Sequence, residues 1–114
     1  MKFRDFITEL YEGKLSETDY LYMLDGHTAI PASDVLTWAR WFENQANRQL
    51  FLDKVGEAMI STVFLGVSVT DPPVLFETLV IGGKFDHHRQ GYLTWDEAAA
   101  GHAAVVEQIK GKGH

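Results

Sequence analysis

The sequence predicts an α+β fold: an antiparallel β-meander of three to four strands with N-terminal and C-terminal helices packed on it. Three observations carry that prediction. Apolar residues recur at helical spacing towards both ends, β-formers dominate residues 50–81, and Gly and Pro cut that central stretch into short pieces.

The elements follow in order. Phe3, Phe6, Ile7, Leu10 and Tyr11 recur at intervals of three and four, with Asp5, Glu9 and Glu12 on the remaining faces. This spacing predicts a helix over about 3–12, closed by Gly13. Residues 20–24 read either as a short helix capped by Ser16 or as a short strand entering an Asp25-Gly26 turn. A second helix opens at Pro31 or Ser33, with Asp34 in its first turn at the positive end of the dipole. Val35, Trp38, Ala39, Phe42 and Ala46 form its apolar stripe, and Trp41 lies to one side, at a rim or an interface.

The period then changes. Residues 50–55, a turn at Gly56-Glu57 and residues 59–67 read as a hairpin, with Gly66 marking a bulge or a close approach. After the turn Thr70-Asp71-Pro72-Pro73, residues 74–81 form a third strand closed by Gly82-Gly83. Val74, Phe76, Thr78 and Val80 face one way, and Leu75, Glu77, Leu79 and Ile81 the other. Both sets are mostly apolar, so this strand is expected to be central and covered on both sides. Residues 84–92 read as a polar loop.

Thr94-Trp95-Asp96-Glu97 is a capping box, with the Glu97 carboxylate expected to reach the Thr94 amide. The helix it opens runs to about Lys110 and stops at Gly111. Trp95, Ala98, His102, Val105 or Val106, and Ile109 share one face. The small run Ala98-Ala99-Ala100-Gly101 allows that face to approach the sheet closely.

At 114 residues the chain is sized for a single domain, residues 1–114, and its 46% hydrophobic content fits a globular one. Ten bases against sixteen acids give −6, a balance that disfavours wrapping a phosphate backbone. The charge is uneven, −4 over residues 1–57 and −2 over 58–114, which points an acidic contact surface towards the N-terminal helices. The absence of cysteine removes disulfides, thiolate metal sites and cysteine nucleophiles. Residues 58–81 are apolar enough to suggest a membrane span, but Asp71-Pro72-Pro73 divides them into pieces too short for one. Basic residues at the N-terminus have no apolar segment behind them, so no signal peptide is expected, and the chain reads as cytoplasmic.

Few residues suggest chemistry. Asp86-His87-His88, with His27, His102 and His114 elsewhere, lacks the spacing that converges ligands on a metal, and no cofactor is expected. His102 falls on an apolar stripe, where a half-buried imidazole needs a carbonyl or carboxylate partner. Glu77 stands in an apolar strand and requires a partner, with Arg40, Arg48 and Arg89 available, or an opening to solvent. Were Glu77 and His102 to meet between sheet and helix, they would form a general-base pair. Nucleophile elbows and phosphate loops are absent, and Trp38, Trp41, Phe42 and Trp95 lack the basic residues of a nucleic-acid stacking platform.

Four motifs occur in order: Trp38-Ala39-Arg40-Trp41-Phe42-Glu43; Ser61-Thr62-Val63-Phe64-Leu65-Gly66, preceded by Val55-Gly56-Glu57; Pro72-Pro73-Val74-Leu75-Phe76-Glu77-Thr78; and Tyr92-Leu93-Thr94-Trp95-Asp96-Glu97-Ala98 with Ala100-Gly101-His102. Together they resemble a family of small uncharacterised proteins of bacteriophages and prophages, over residues 20–110. The resemblance implies a phage accessory protein in the bacterial host cytoplasm. It includes Glu77 and His102, leaves His87 and His88 in a variable loop, and carries no activity. The leading expectation is a non-enzymatic, acidic interaction module that binds a host or phage protein, free to self-associate, with Trp41, Glu43, Glu9 and Glu12 as contact residues. Two alternatives are a small enzyme or ligand-binding domain using Glu77 and His102, and a virion component. Neither nucleic acid nor membrane is expected as a partner.

Overall fold

The computed structural model describes residues 19–112. The helix expected over 3–12, and Glu9 and Glu12 with it, lie outside the described residues. The architecture is α+β. A hairpin of β1 (Tyr22–Asp25) and β2 (Thr28–Pro31) is followed by helix α1 (Val35–Glu43) and a 3-10 turn (Gln45–Asn47). Strands β3 (Gln49–Val55), β4 (Ala58–Phe64), β5 (Phe76–Ile81) and β6 (Arg89–Tyr92) then form an antiparallel sheet in the order β3-β4-β5-β6. Helix α2 (Trp95–Lys112) closes the chain and packs on that sheet. Among the described residues no helix is long and apolar enough to cross a membrane.

Residues 20–24 resolve as a strand, and its partner β2 is an element the sequence did not announce. Gly26, at φ 60, turns the chain between Asp25 and Thr28, and Tyr22 pairs with Pro31 at the far end. A strand that ends on proline lies naturally at a sheet edge, where the missing amide costs no ladder bond. Because β2 consumes Pro31, α1 starts later than expected. Asp34 is its N-cap rather than a first-turn residue, with extended backbone and Oδ1 accepting from the Thr37 amide at 2.8 Å. The helix stops at Glu43, because Asn44 caps the 3-10 turn by accepting from the Ala46 amide. Ala46 is thereby exposed and leaves the predicted stripe.

Trp38 ties this half of the molecule together. Its indole donates to the carbonyls of Tyr22 and Gly66, at 3.2 and 3.0 Å. The close approach expected at Gly66 is real: at φ 75, a Cβ there would sit 3.0 Å from the Phe42 ring. Strand β4 ends at Phe64, short of the predicted Val67, which makes an isolated bridge to Leu21 instead.

The polar loop expected over 84–92 is corrected by β6. Arg89-Gln90-Gly91-Tyr92 pairs with residues 76–79 because β5 offers a free edge, despite the low strand propensity of the segment. Strand β5 begins at Phe76 rather than Val74 and is central in its sheet. Among the described residues only one of its faces is covered. Phe76, Thr78 and Val80 are buried under α2, whereas Glu77 and Leu79 are half-buried and Ile81 is exposed.

The capping box forms with one change. Thr94 Oγ1 accepts from the Glu97 amide and donates to Glu97 Oε1, so the carboxylate holds the hydroxyl rather than the Thr94 amide. Helix α2 continues through Gly111, which does not terminate it. Its covered face is Ala98, His102, Val105, Val106 and Ile109, with Trp95 half-buried, so both valines point inward. The core has two parts under α2. Ala58, Ile60 and Val80 meet Val105, Val106 and Ile109 at one end; Phe64, Leu75, Phe76 and Tyr92 meet Ala98 at the other. Burial of each of Phe64 and Phe76 is worth about 1.5–3 kcal/mol. Gly101 makes the close packing possible, since any Cβ there would collide with the Tyr92 ring.

Candidate functional site

Strand alternation puts Thr62, Thr78 and Tyr92 on the same face of the sheet as α2. Thr62 and Thr78 are register partners across β4 and β5, and Tyr92 follows one strand further on. Asp53 points to this face from β3, and His102 comes down from α2 between them. The result is one continuous polar chain: Asp53 Oδ2 lies 2.7 Å from His102 Nε2, and His102 Nδ1 lies 2.7 Å from Thr62 Oγ1. Thr62 Oγ1 is 2.5 Å from Thr78 Oγ1, which the Tyr92 hydroxyl reaches at 3.2 Å.

The proton order along the chain follows from donor inventory. A carboxylate only accepts, so Nε2–H donates to Asp53 and Nδ1 is left to accept from the Thr62 hydroxyl. Thr62 then accepts from Thr78, and Thr78 accepts from Tyr92. Every group is satisfied in a single direction. Among the described residues no buried side-chain nitrogen or oxygen lacks a partner.

An acid, an imidazole and a hydroxyl in this order share the logic of an activated nucleophile. Access decides against that role. Thr62 and Thr78 are completely buried and His102 is 5% exposed, so no substrate atom can reach the hydroxyl. Only Asp53 meets solvent, with a side chain 55% exposed. The arrangement bonds α2 directly to β3 and β4 and continues to β5 and β6, and it ties the helix to the sheet.

Glu77 is absent from it. The odd-numbered residues of β5 point away from α2, so Glu77 and His102 stand on opposite faces of the sheet and form no pair. Of the arginines available to it, Glu77 takes Arg89, at 3.3 Å. Arg48 is engaged elsewhere, donating to the Phe42 carbonyl with its guanidinium 4.0 Å from the Phe42 ring centroid. With side chains 62% and 27% exposed, the Arg89–Glu77 pair contributes about 0–1 kcal/mol.

The other sequence-derived residues separate. Trp41 is half-buried and sets its ring edge against Phe64 at 5.7 Å, packed against the core. Glu43 is exposed at the end of α1. His87 is exposed beside Asp86, which accepts from the Gly82 amide and shapes the loop. Among the described residues no group of three or more His, Asp or Glu side chains could hold a metal ion. His27, expected as part of a turn, also stacks on Trp95 with ring centroids 3.8 Å apart.

The feature that sequence reasoning passed over is the open face of the four-stranded sheet. Leu52 is 56% exposed, Met59 40% and Ile81 48%. Leu79 and, one row further along β4, Val63 share that face half-buried, with Ser61 between Leu52 and Leu79 and Glu77 opposite Val63. The available signal was the second apolar set on the strands, read instead as a covered face. Comparison with protein-family models, with curated proteins and with solved structures finds no match for the chain.

Proposed function

We propose that the protein is a non-enzymatic interaction module that binds another protein through the open face of its four-stranded sheet. One observation carries the reading: Leu52, Met59 and Ile81 stand exposed beside Leu79 on a sheet face that, among the described residues, no helix packs against. Large apolar side chains grouped on a surface mark contact sites, and here they sit beside Lys54, Ser61 and the Glu77–Arg89 pair as a mixed apolar and polar face. The surface therefore lies on the sheet rather than on the acidic helices. The sealed position of the Asp53–His102–Thr62 chain supports the same reading, because the most enzyme-like constellation in the fold has no route to a substrate.

The motif resemblance supports the biological setting: a phage accessory protein in the host cytoplasm, acting on a host or phage protein. Co-purification from host cells tests this, with tagged wild type compared against Ile81→Glu. The reading expects a specific partner retained by wild type and lost by the variant, with both proteins melting at the same temperature. Equal recovery with both, or recovery only with intact virus particles, contradicts it.

A further inference from the structure

A second feature lies on the α2 side of the sheet, independent of the open face. Hairpin β1–β2 leans over the N-terminus of α2 and leaves a cleft of about 480 Å³. Its floor is apolar, formed by Leu75 and Phe76, which are 3% and 1% exposed. Aromatic rings make the walls: Tyr22 on one side, Trp95 on the other, with His27 lying flat on Trp95 at an interplanar angle of 6°. The Trp95 indole is fixed from behind by edge contacts to Phe51 and Phe76, at 5.9 and 6.4 Å. At the rim stands Asp96, exposed and in no ion pair among the described residues.

Charge around this cleft has one sign. The three segments that build it, residues 20–31, 71–78 and 91–98, contain Asp25, Asp71, Glu77, Asp96 and Glu97, and neither lysine nor arginine. Glu77 points to the other face and is paired with Arg89, but the remaining carboxylates are not matched by any base within those segments. An apolar floor, fixed aromatic walls and a carboxylate at the mouth select a ligand with a flat apolar body and a positive end. Planar cations stack on indole faces as well as pairing with carboxylates, and the exposed His27 imidazole now covering the Trp95 face is a flat nitrogen heterocycle that a planar cation of similar shape would displace.

We propose that this cleft binds an organic cation of the amidinium or guanidinium class, with its plane against the aromatic wall and its charge at Asp96. The group has two sources, a free small molecule or an arginine side chain presented by a peptide, and the experiment separates them. Isotope-labelled protein is titrated with benzamidine, with its neutral isostere benzamide, and with N-acetyl-arginine methylamide, while backbone and indole resonances are followed. Benzamidine is expected to shift the Trp95 indole and the amides of His27 and residues 94–97, and to bind up to about fivefold more tightly than benzamide, the ratio an exposed charge pair supplies. Asp96→Asn removes that preference and leaves benzamide binding unchanged. His27→Ala, at an exposed position, uncovers the Trp95 face and is expected to tighten benzamidine binding; weaker binding by this variant would count against the stacking geometry. Tighter binding of N-acetyl-arginine methylamide than of benzamidine assigns the site to a peptide, and the reverse order to a free cation. Equal binding of benzamidine and benzamide, an undiminished preference in Asp96→Asn, or no shifts at the cleft would overturn the proposal.

Discussion

Replacing Thr62 by valine isolates the contribution of the buried polar chain, because the two side chains have nearly the same shape. No cavity opens, so the loss is one of hydrogen bonding alone. The substitution leaves buried His102 Nδ1 without a donor and the Thr78 hydroxyl hydrogen without an acceptor, while Asp53 and Tyr92 still bond the same side chains. Each such orphan costs about 1–3 kcal/mol, which puts Thr62→Val at about 2–6 kcal/mol. A domain of this size has a total stability of about 5–15 kcal/mol, so the effect is a large fraction of the whole. Thr78→Val strands only the Tyr92 hydroxyl and costs about 1–3 kcal/mol. The double variant strands His102 Nδ1 and Tyr92, two groups rather than the three orphaned by the single changes together. Its cost therefore falls below their sum by about 1–3 kcal/mol. Urea unfolding followed by tryptophan fluorescence measures all three, and at a typical slope of about 2 kcal/mol per molar the Thr62→Val midpoint drops by about 1–3 M. A cost for Thr62→Val under about 0.5 kcal/mol, or strict additivity in the double variant, refutes the reasoning.

Three further predictions test other parts of the fold. Gly101→Ala destabilises by about 1–3 kcal/mol in the same urea assay, although alanine is the better helix former, because the new Cβ displaces the Tyr92 ring. The two faces of β5 are distinguished by adjacent substitutions: Ile81→Glu changes stability by no more than about 0.5 kcal/mol, whereas Val80→Glu, at a fully buried position, prevents folding as read by circular dichroism. The Thr37 amide, followed by the Thr37 hydroxyl, holds the Asp34 carboxyl below the ordinary carboxylate range. A folded-state value below the unfolded one means that this cap stabilises above the ordinary range and loses its effect as pH falls through the folded value. The Thr37 amide resonance should accordingly titrate below about pH 3.9, and Asp34→Asn should abolish that titration.

Legibility varied with how locally each element is determined. Helix α2 could be read from the chain because Thr94 and Glu97 cap it through bonds three residues apart, and because Ala98 and Gly101 announce a close contact. The β3–β4 hairpin was legible for the same reason, with Val55 and Ala58 paired across the turn at Gly56-Glu57. Strand β6 was not, since Arg89-Gln90-Gly91-Tyr92 has little preference of its own and is extended because β5 has an edge to fill. Strand β2 was hidden by Pro31, which reads as a helix start and serves as a strand end.

The site divides in the same way. His102 was found on its stripe by periodicity, but its partners depend on the cross-strand register that sets Thr62 beside Thr78, which no local pattern encodes. The Glu77–His102 pairing failed on parity: Glu77 and Thr78 are neighbours in sequence and lie on opposite faces of the sheet. Trp41 stood off the α1 stripe because that stripe was drawn for one contact surface, whereas the helix meets Tyr22 and Gly66 through Trp38 and Phe64 through Trp41.

Photo-crosslinking inside the bacterial host tests the central claim, that the open sheet face is the contact surface. A benzophenone side chain is placed at Met59 on the open face or at Glu107 on the exposed side of α2. The account predicts a discrete adduct with a second protein from position 59 and none from position 107. The same adducts from both positions, or none from position 59, would contradict it.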